Sequence, residues 1–483
     1  MAVKLRKKLE QWLEKGDLED AKIIAEQLEK ETNRLSGEKS DERLLHLYVL
    51  AKCYRIMKNY DKAAKYSQEA IRLAKHGKHD MDTIIAIYLN DAAFKREYGQ
   101  FSNARIQLAH LLALLDKKQY PSDYSYGLVY RDLGKIALDE GNVDAGLSQL
   151  QKALSYFQKS VSVEHPIIAK TIHALSKVYI QMERYPHALE YELELLKIYE
   201  TRQDPVQVGQ QLLVIGEVYF YIDLKKARQT IMKALQLLVQ NDHEHPDISK
   251  ANLMLAEMDE NMHYFPRAIT YYKRALEQVK MNSEQREFLL VYMYAKIGTI
   301  SLKINELGQA KVYLEKGLTL SEPFPKIKMQ FLFALGKLYS KEKQYGKAEQ
   351  VYQEFMVRLE QTGKKHSLAY GKTLEAIGKN YVEQSKFDTA IVYYEQALET
   401  YTSIPNCKEE KIAILVCIAF CYENKQELDQ AEGYFEKALQ SAERSYHKAW
   451  MKKTLAKFID FYKRTNQWNK LRKYEKRFAK LQE

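Results

Sequence analysis

The chain has 483 residues, 46% hydrophobic and 29% charged, with nine prolines and 19 glycines, a composition that suits a helix-rich fold and excludes wholesale disorder. No apolar run approaches the roughly 18–20 residues that span a bilayer, the basic start MAVKLRKKLEQWLEKG has no apolar stretch behind it to form a secretory signal, and four cysteines are too few for a disulfide framework. The formal charge of +11 is local: residues 447–483 hold 12 Lys or Arg against Asp460, Glu475 and Glu483, which leaves the rest close to neutral.

In chain order, an atypical helical hairpin is expected from about Lys4, with the small residue Ala21 in its second helix and the loop signal SGEKSDE (36–42) after it. LAKCYRIMKNYDKAAKYSQEAI (50–71) then sets a pattern: Leu50-Ala51, the aromatic Tyr54, a polar turn, the aromatic Tyr60, the small Ala63, and finally Ala70-Ile71. The next hairpins put their small residue at Ala104 and, past the loop QYPSDYSYG (119–127), at Gly146. VSVEHPIIAK (161–170) opens the Ala188 hairpin, the Ala227 hairpin follows, and NDHEHPDISK (241–250) opens that of Ala268. After Ala310 and the loop SEPFPK (321–326) come LGKLYSKEKQYGKAEQVYQEFM (335–356), with Ala348, and IGKNYVEQSKFDTAIVYYEQAL (377–398), with Ala390. SIPNC (403–407) leads into IAFCYENKQELDQAEGYFEKAL (418–439), with Ala431, and a basic hairpin with Leu471 in the small position ends the series.

That makes about 12 antiparallel hairpins, ten of them with alanine at one place, because a larger side chain there would push the two helices apart. Tyr54, Tyr179, Tyr219, Tyr339, Tyr381, Tyr422 and Tyr462 share one position on the first helix. Tyr60, Phe101, Tyr185, Phe265, Tyr345, Phe387 and Trp468 share another at the turn, and Tyr272, Tyr352 and Tyr394 a third. These aromatics are read as packing between helices rather than as a platform for bases. The order of small and aromatic residues resembles the tetratricopeptide repeat (TPR). Successive small residues lie 38–42 positions apart, against an ordinary repeat of about 34, a spacing similar to the long-repeat TPRs of kinesin light chains and bacterial peptide-sensing regulators. The resemblance implies an all-α, right-handed superhelical solenoid over 1–446, capped by a basic hairpin over 447–483.

Several apparent chemical motifs dissolve in this reading. His243 and His245 flank Glu244, as a metal site might begin, yet zinc wants three or four ligands and none stands nearby in sequence. His165-Pro166 and His245-Pro246 instead occupy the same place before a first helix, where Pro suits the first turn and the preceding His falls at or beside the N-cap. YGKT (370–373) ends like a phosphate loop but lacks the earlier glycine, position 366 being His366, and no strand precedes it. Cys407, Cys417 and Cys421 read as buried thiols of a reducing cytoplasm. No constellation for catalysis, and no cofactor or metal, is expected.

Binding is expected on the first helices, which line the concave face in TPR proteins. Two residues before the core aromatic stand Lys52, Lys135, Lys177, Glu217, Glu257, Lys337 and Lys379, and four positions earlier Arg131 and His173, with Tyr48, Leu89, Phe333 and Glu375 at the same earlier place. The groove then reads as basic, acidic and basic again along the chain. The favoured function is a non-enzymatic cytoplasmic scaffold or adaptor that takes a protein or peptide segment in this groove, selected by charge. A cytosolic peptide-sensing regulator, with a protein contact as output, is one alternative. Another is a nucleic-acid binder using FYKRTNQWNKLRKYEKRFAK (461–480), set against a capping role in which Phe458, Tyr462, Trp468, Leu471 and Phe478 fall at core positions.

Overall fold

All ten alanines that the spacing assigns to the tight helix crossing, from Ala21 to Ala431, are buried to within 1% of complete in a computed structural model of the chain. Where the series has Gly146 instead, an added Cβ would lie 2.5 Å from a Leu138 methyl carbon, so that crossing admits only hydrogen. Leu471, the other exception, is also buried. The structure describes residues 2–15, 18–34, 41–76, 79–117, 120, 122–279, 284–444 and 448–482. Residues 36–40, 119 and 121 of the expected loops, and the expected boundary at 446–447, lie outside these.

The described residues form 24 helices that pair consecutively. In the N-terminal unit, Met1–His245, they are α1 (Ala2–Lys15), α2 (Leu18–Arg34), α3 (Asp41–Ile56), α4 (Tyr60–His76), α5 (Met81–Glu97) and α6 (Phe101–Lys117). There follow α7 (Asp123–Asp139), α8 (Val143–Ser160), α9 (Pro166–Gln181), α10 (Tyr185–Thr201), α11 (Pro205–Phe220) and α12 (Leu224–Asn241). The C-terminal unit, Pro246–Glu483, has α13 (Pro246–Asn261), α14 (Phe265–Gln278), α15 (Glu284–Lys303), α16 (Leu307–Leu320), α17 (Pro325–Lys341) and α18 (Tyr345–Gln361). It continues with α19 (Leu368–Glu383), α20 (Phe387–Ser403), α21 (Lys408–Asn424), α22 (Leu428–Arg444), α23 (Lys448–Arg464) and α24 (Trp468–Gln482).

Ten of the hairpin turns share one chemistry. Five residues before the small position stands a residue with positive φ: Lys58, Gly99, Gly141, Glu183, His263, Asn305, Lys343, Ser385, Gln426 and Asn466. At Ser385 the N–H of Ser385 bonds the carbonyl of Val382 (2.9 Å) and that of Lys386 the carbonyl of Tyr381 (2.9 Å). This double bond to the last helical carbonyls closes a helix end with one left-handed residue. In the α11–α12 hairpin the spacing from the core tyrosine to the small residue is one position shorter (Tyr219 to Ala227), and its turn closes through Asp223 N–H to Tyr219 O (2.7 Å), without a left-handed residue.

Packing between hairpins uses the aromatics. Tyr272, Tyr352 and Tyr394 are buried, and Tyr60 packs on Phe94 and Tyr98 of the next hairpin at centroid distances of 6.4 and 5.7 Å. Trp468 departs from the expected core role: it is 58% exposed. The other expected core residues of that hairpin, Phe458, Tyr462 and Leu471, are buried, and Phe478 is half-buried.

The junction histidine behaves as a cap. His165 Nδ1 accepts from the N–H of Ile167 (3.2 Å), with Pro166 as the first helical residue of α9. YGKT lies in the first turns of α19, where a Cβ on Gly371 would collide with the Tyr401 ring, so this glycine serves packing. The four cysteines are free, three of them buried.

Candidate functional site: two basic first-helix grooves

Successive first helices touch one another directly, α3 with α5, α5 with α7, α15 with α17 and α17 with α19, and each of these triplets frames a groove. A side chain recurs on one helix face every three or four residues, so the two inward positions read from the sequence should converge there. In the N-terminal unit they do. Tyr48 and Lys52 from α3, Leu89 and Ala93 from α5, and Arg131 and Lys135 from α7 line one cavity of about 560 Å3.

Its charges are arranged in tiers. Arg131 Nε stands 3.0 Å and Lys135 Nζ 3.2 Å from one oxygen of the buried Asp132. Burial opposes ionisation of that carboxyl, but Arg131 and Lys135 outweigh it and hold its pKa below the usual value. Burial also pulls the Lys135 ammonium below its usual value, against the attraction of Asp132. Arg55 donates to Asn90 (3.1 Å) and pairs with Glu97 (2.5 Å), and Arg96 lies 3.4 Å from Asp139. Lys52 has no such partner among the described residues. Five cations, Lys52, Arg55, Arg96, Arg131 and Lys135, thus face three lining acids, Asp82, Glu97 and Asp132.

In the C-terminal unit, Thr299 of α15, Phe333 and Lys337 of α17, and Glu375 and Lys379 of α19 line a cavity of about 1050 Å3. Six lysines border it, Lys303, Lys337, Lys341, Lys343, Lys372 and Lys379, against Glu375 and Glu383. Lys337 lies 4.4 Å over the Phe333 ring, and burial, then Lys372, draw its pKa below the usual value. Glu375 accepts from the Tyr401 hydroxyl (3.1 Å).

The remaining candidates line neither cavity. His173 Nδ1 stands 3.7 Å from the buried Glu192 of α10, Lys177 is exposed on α9, and Glu217 is half-buried on α11. Glu257 accepts from the Tyr292 hydroxyl (2.8 Å) on α13's neighbour α15. Leu213 and Ala295, four residues before Glu217 and Thr299 on α11 and α15, are buried in the core rather than groove-lining. Sequence reading missed Arg55, Arg96, Lys303, Lys341 and Lys372. Each lies three or four residues, or a multiple, from a chosen position on its own helix, so extending the 3.6-residue period by one turn would have found them.

None of the four cysteines is activated as a nucleophile. Burial pushes the thiol of Cys53 up to about 12 and that of Cys417 up to about 11, away from the thiolate.

The sequence profile of the tetratricopeptide repeat matches residues 125–201 and 329–403, and a second profile of the same repeat matches 47–76. These segments coincide with α7–α10, α17–α20 and the α3–α4 hairpin. The chain is a tetratricopeptide-repeat protein. Over 286 residues it is 24% identical to tetratricopeptide repeat protein 21B of Homo sapiens, covering 55% of this chain and 20% of that protein. It thus spans about a fifth of the length of that curated relative. Among solved structures, this TPR chain resembles the apo form of RapI, with a TM-score of 0.50 at 13% identity, covering 80% of this chain and 98% of that one. The quorum sensor NprR from B. thuringiensis, in its apo form, aligns with a TM-score of 0.40 at 13% identity over 74% of this chain and 99% of that one. Among the described residues, no helix of the TPR chain is long and apolar enough to cross a membrane.

Proposed function

We propose that this TPR protein is a non-enzymatic scaffold that holds acidic segments of partner proteins in its two first-helix grooves. The observation that carries this reading is the six-lysine border of the α15–α17–α19 groove, with only Glu375 and Glu383 opposing it. An anionic chain entering there meets a complementary field and an aromatic floor at Phe333. The α3–α5–α7 groove repeats the arrangement with Lys52 as its uncommitted cation and Arg131 and Lys135 held in place by Asp132. Free, buried cysteines suit a reducing cytoplasm as the working compartment.

The C-terminal basic hairpin supports a capping role over phosphate binding. Arg464 makes two bonds to Glu423 (2.6 and 2.9 Å), Lys470 two to Glu432 (2.8 and 2.7 Å), and Arg477 pairs with Glu443. Three of the twelve cations of this hairpin thus pair with acids of the preceding one.

The test is fluorescence polarisation of labelled oligoglutamate and of a labelled single-stranded oligonucleotide, at low and moderate salt. Oligoglutamate binding is expected, with at least a tenfold loss in Lys337→Glu/Lys379→Glu and a smaller one in Lys52→Glu, at unchanged helicity. Equal binding by these variants and the wild type would remove the groove assignment, and tight oligonucleotide binding indifferent to both would favour the nucleic-acid reading.

A further inference from the structure

Beside the six-lysine groove lies a second cavity of a different kind. It opens between the first turns of α17 and α19 and the last turns of α18, and has a volume of about 770 Å3, within the range of roughly 300–1,000 Å3 usual for ligand pockets. Its walls are Met329 and Phe333 of α17, Phe355 and Leu359 of α18, and Leu368 of α19. Its rim carries Lys326, Arg358, Lys364 and Lys372, and no acidic side chain lines it. Arg358 is paired with Glu354 on its own helix at 3.0 Å, whereas Lys326, Lys364 and Lys372 make no side-chain ion pair among the described residues. Leu368 is 38% exposed although it heads a helix whose other apolar residues pack inward.

The slot and the groove share Gln330, Phe333 and Lys372 as a common wall. A chain segment lying in the groove therefore reaches the slot without leaving the protein surface. A purely acidic segment would satisfy the rim and leave the apolar walls wet. A purely apolar one would leave three ammonium groups without counter-charge. Both surfaces are matched only by an acidic segment that carries a bulky apolar side chain. We propose that the α17–α18–α19 slot is an anchor pocket that seats a bulky apolar residue of the acidic segment held by the neighbouring lysine groove. The inference rests on the groove reading above and adds a sequence requirement to it: charge alone selects weakly, and the anchor sets register and affinity.

The experiment compares two fluorescein-labelled peptides by fluorescence polarisation on the full chain. One is an oligoglutamate with a central phenylalanine, the other the same peptide with a central alanine. The phenylalanine peptide is expected to bind at least tenfold tighter, as burying an aromatic ring implies. Met329→Gln/Leu368→Gln keeps the charge of the slot and should bring the phenylalanine peptide down to the affinity of the alanine peptide, which itself stays unchanged. Leu368→Gln alone, at an exposed position, should give a partial loss without any change in helicity or melting temperature. Lys337→Glu/Lys379→Glu should weaken both peptides alike. If the two peptides bind equally while the lysine variant still weakens both, the anchor pocket is overturned and the groove stands. If neither peptide binds the wild type, both fall. Displacement of the phenylalanine peptide by dodecanoate at equal or lower concentration would mark the slot as a site for small anionic amphiphiles and overturn the anchor.

Discussion

The Tyr381 hydroxyl donates to both carboxylate oxygens of Glu349, at 2.9 Å each, and so ties one hairpin to the hairpin before it. The same bond recurs from Tyr54 to Glu29 (3.0 Å), Tyr339 to Glu315 (3.1 Å) and Tyr462 to Glu432 (2.9 Å). Twice a lysine of the donor's own hairpin completes the set, Lys62 on Glu29 (3.0 Å) and Lys470 on Glu432 (2.7 Å). The aromatic position read as packing therefore also carries a polar staple between repeats, and in a repeat array the stability of the whole depends on such nearest-neighbour terms.

Removing one staple should be visible. Tyr381→Phe keeps the ring and deletes only the donor to a carboxylate, so it should cost about 1.5 kcal/mol in urea unfolding. Tyr54→Phe should behave similarly. A midpoint unchanged in both variants would mean that the staple contributes nothing net.

The staple also fixes an alkaline limb. Burial, and then the bond to Glu349, push the Tyr381 hydroxyl up to about 12 from an ordinary value of 10.0. A raised folded pKa means that the folded state holds its proton more tightly. The stabilisation is then complete below pH 10, where the unfolded tyrosine begins to ionise, and disappears as pH rises through about 12. Melting temperature should fall between these limits, and the fall should be shallower in Tyr381→Phe. Identical slopes for variant and wild type over this window would refute the linkage.

A third outcome concerns the turns. Eight of the ten left-handed turn positions hold a residue with a side chain, at some steric cost, and two hold Gly99 and Gly141. A left-handed residue other than glycine costs roughly 1–2 kcal/mol, offset in part by the extra freedom glycine has when unfolded. Ser385→Gly and Lys343→Gly should therefore stabilise by about 0.5–1 kcal/mol each, and Gly141→Ala should destabilise by about 1 kcal/mol. The control is Ile222→Gly in the α11–α12 turn, where no left-handed residue exists and no gain is expected. Urea midpoints decide each case.

What the sequence made legible follows from what repeats. The buried alanines, the close crossing at Gly146, the His165 cap and the groove positions Lys52, Arg131, Lys135, Lys337 and Lys379 all recur at a fixed phase, so a period reveals them. The slot between α17, α18 and α19 occurs at one junction, and its walls come from three helices with no common phase. Trp468 has the right phase and is nevertheless 58% exposed, so phase alone misread it. Glu192 escaped for the opposite reason. In YELELL (191–196) the carboxylate of Glu192 is fully buried while Leu193 is 37% exposed, an inversion of the expected pattern that only partners on other helices can sustain.

Those partners make the last prediction. Gln211 of α11 donates its side-chain amide to Glu192 twice, to the carbonyl at 2.9 Å and to the carboxylate at 2.5 Å. The His173 imidazole stands 3.7 Å from the other carboxylate oxygen, too far for a hydrogen bond. Burial alone would raise the Glu192 pKa, but His173, Ser176 and Gln211 together outweigh it and hold the carboxyl below its ordinary value of 4.5. A lowered folded pKa means that the stabilisation is present above pH 4.5 and is lost as pH falls through the folded value. Gln211→Leu removes the amide donor while keeping most of the volume, and at pH 7 should cost about 2 kcal/mol, the usual loss for a bond to a buried charge. The cost should shrink as pH falls through the folded value, where the carboxyl gains its proton and asks less of its surroundings. Glu192→Gln in the Gln211→Leu background should recover part of the loss at pH 7, because a neutral amide is cheaper to bury than a carboxylate without its donor. His173→Ala should shift the acid limb upward in pH, since the carboxylate then loses its nearby imidazole. Equal destabilisation by Gln211→Leu at pH 7 and on the acid side of the limb would show instead that Glu192 is buried as the neutral acid, with His173 left free to meet a ligand.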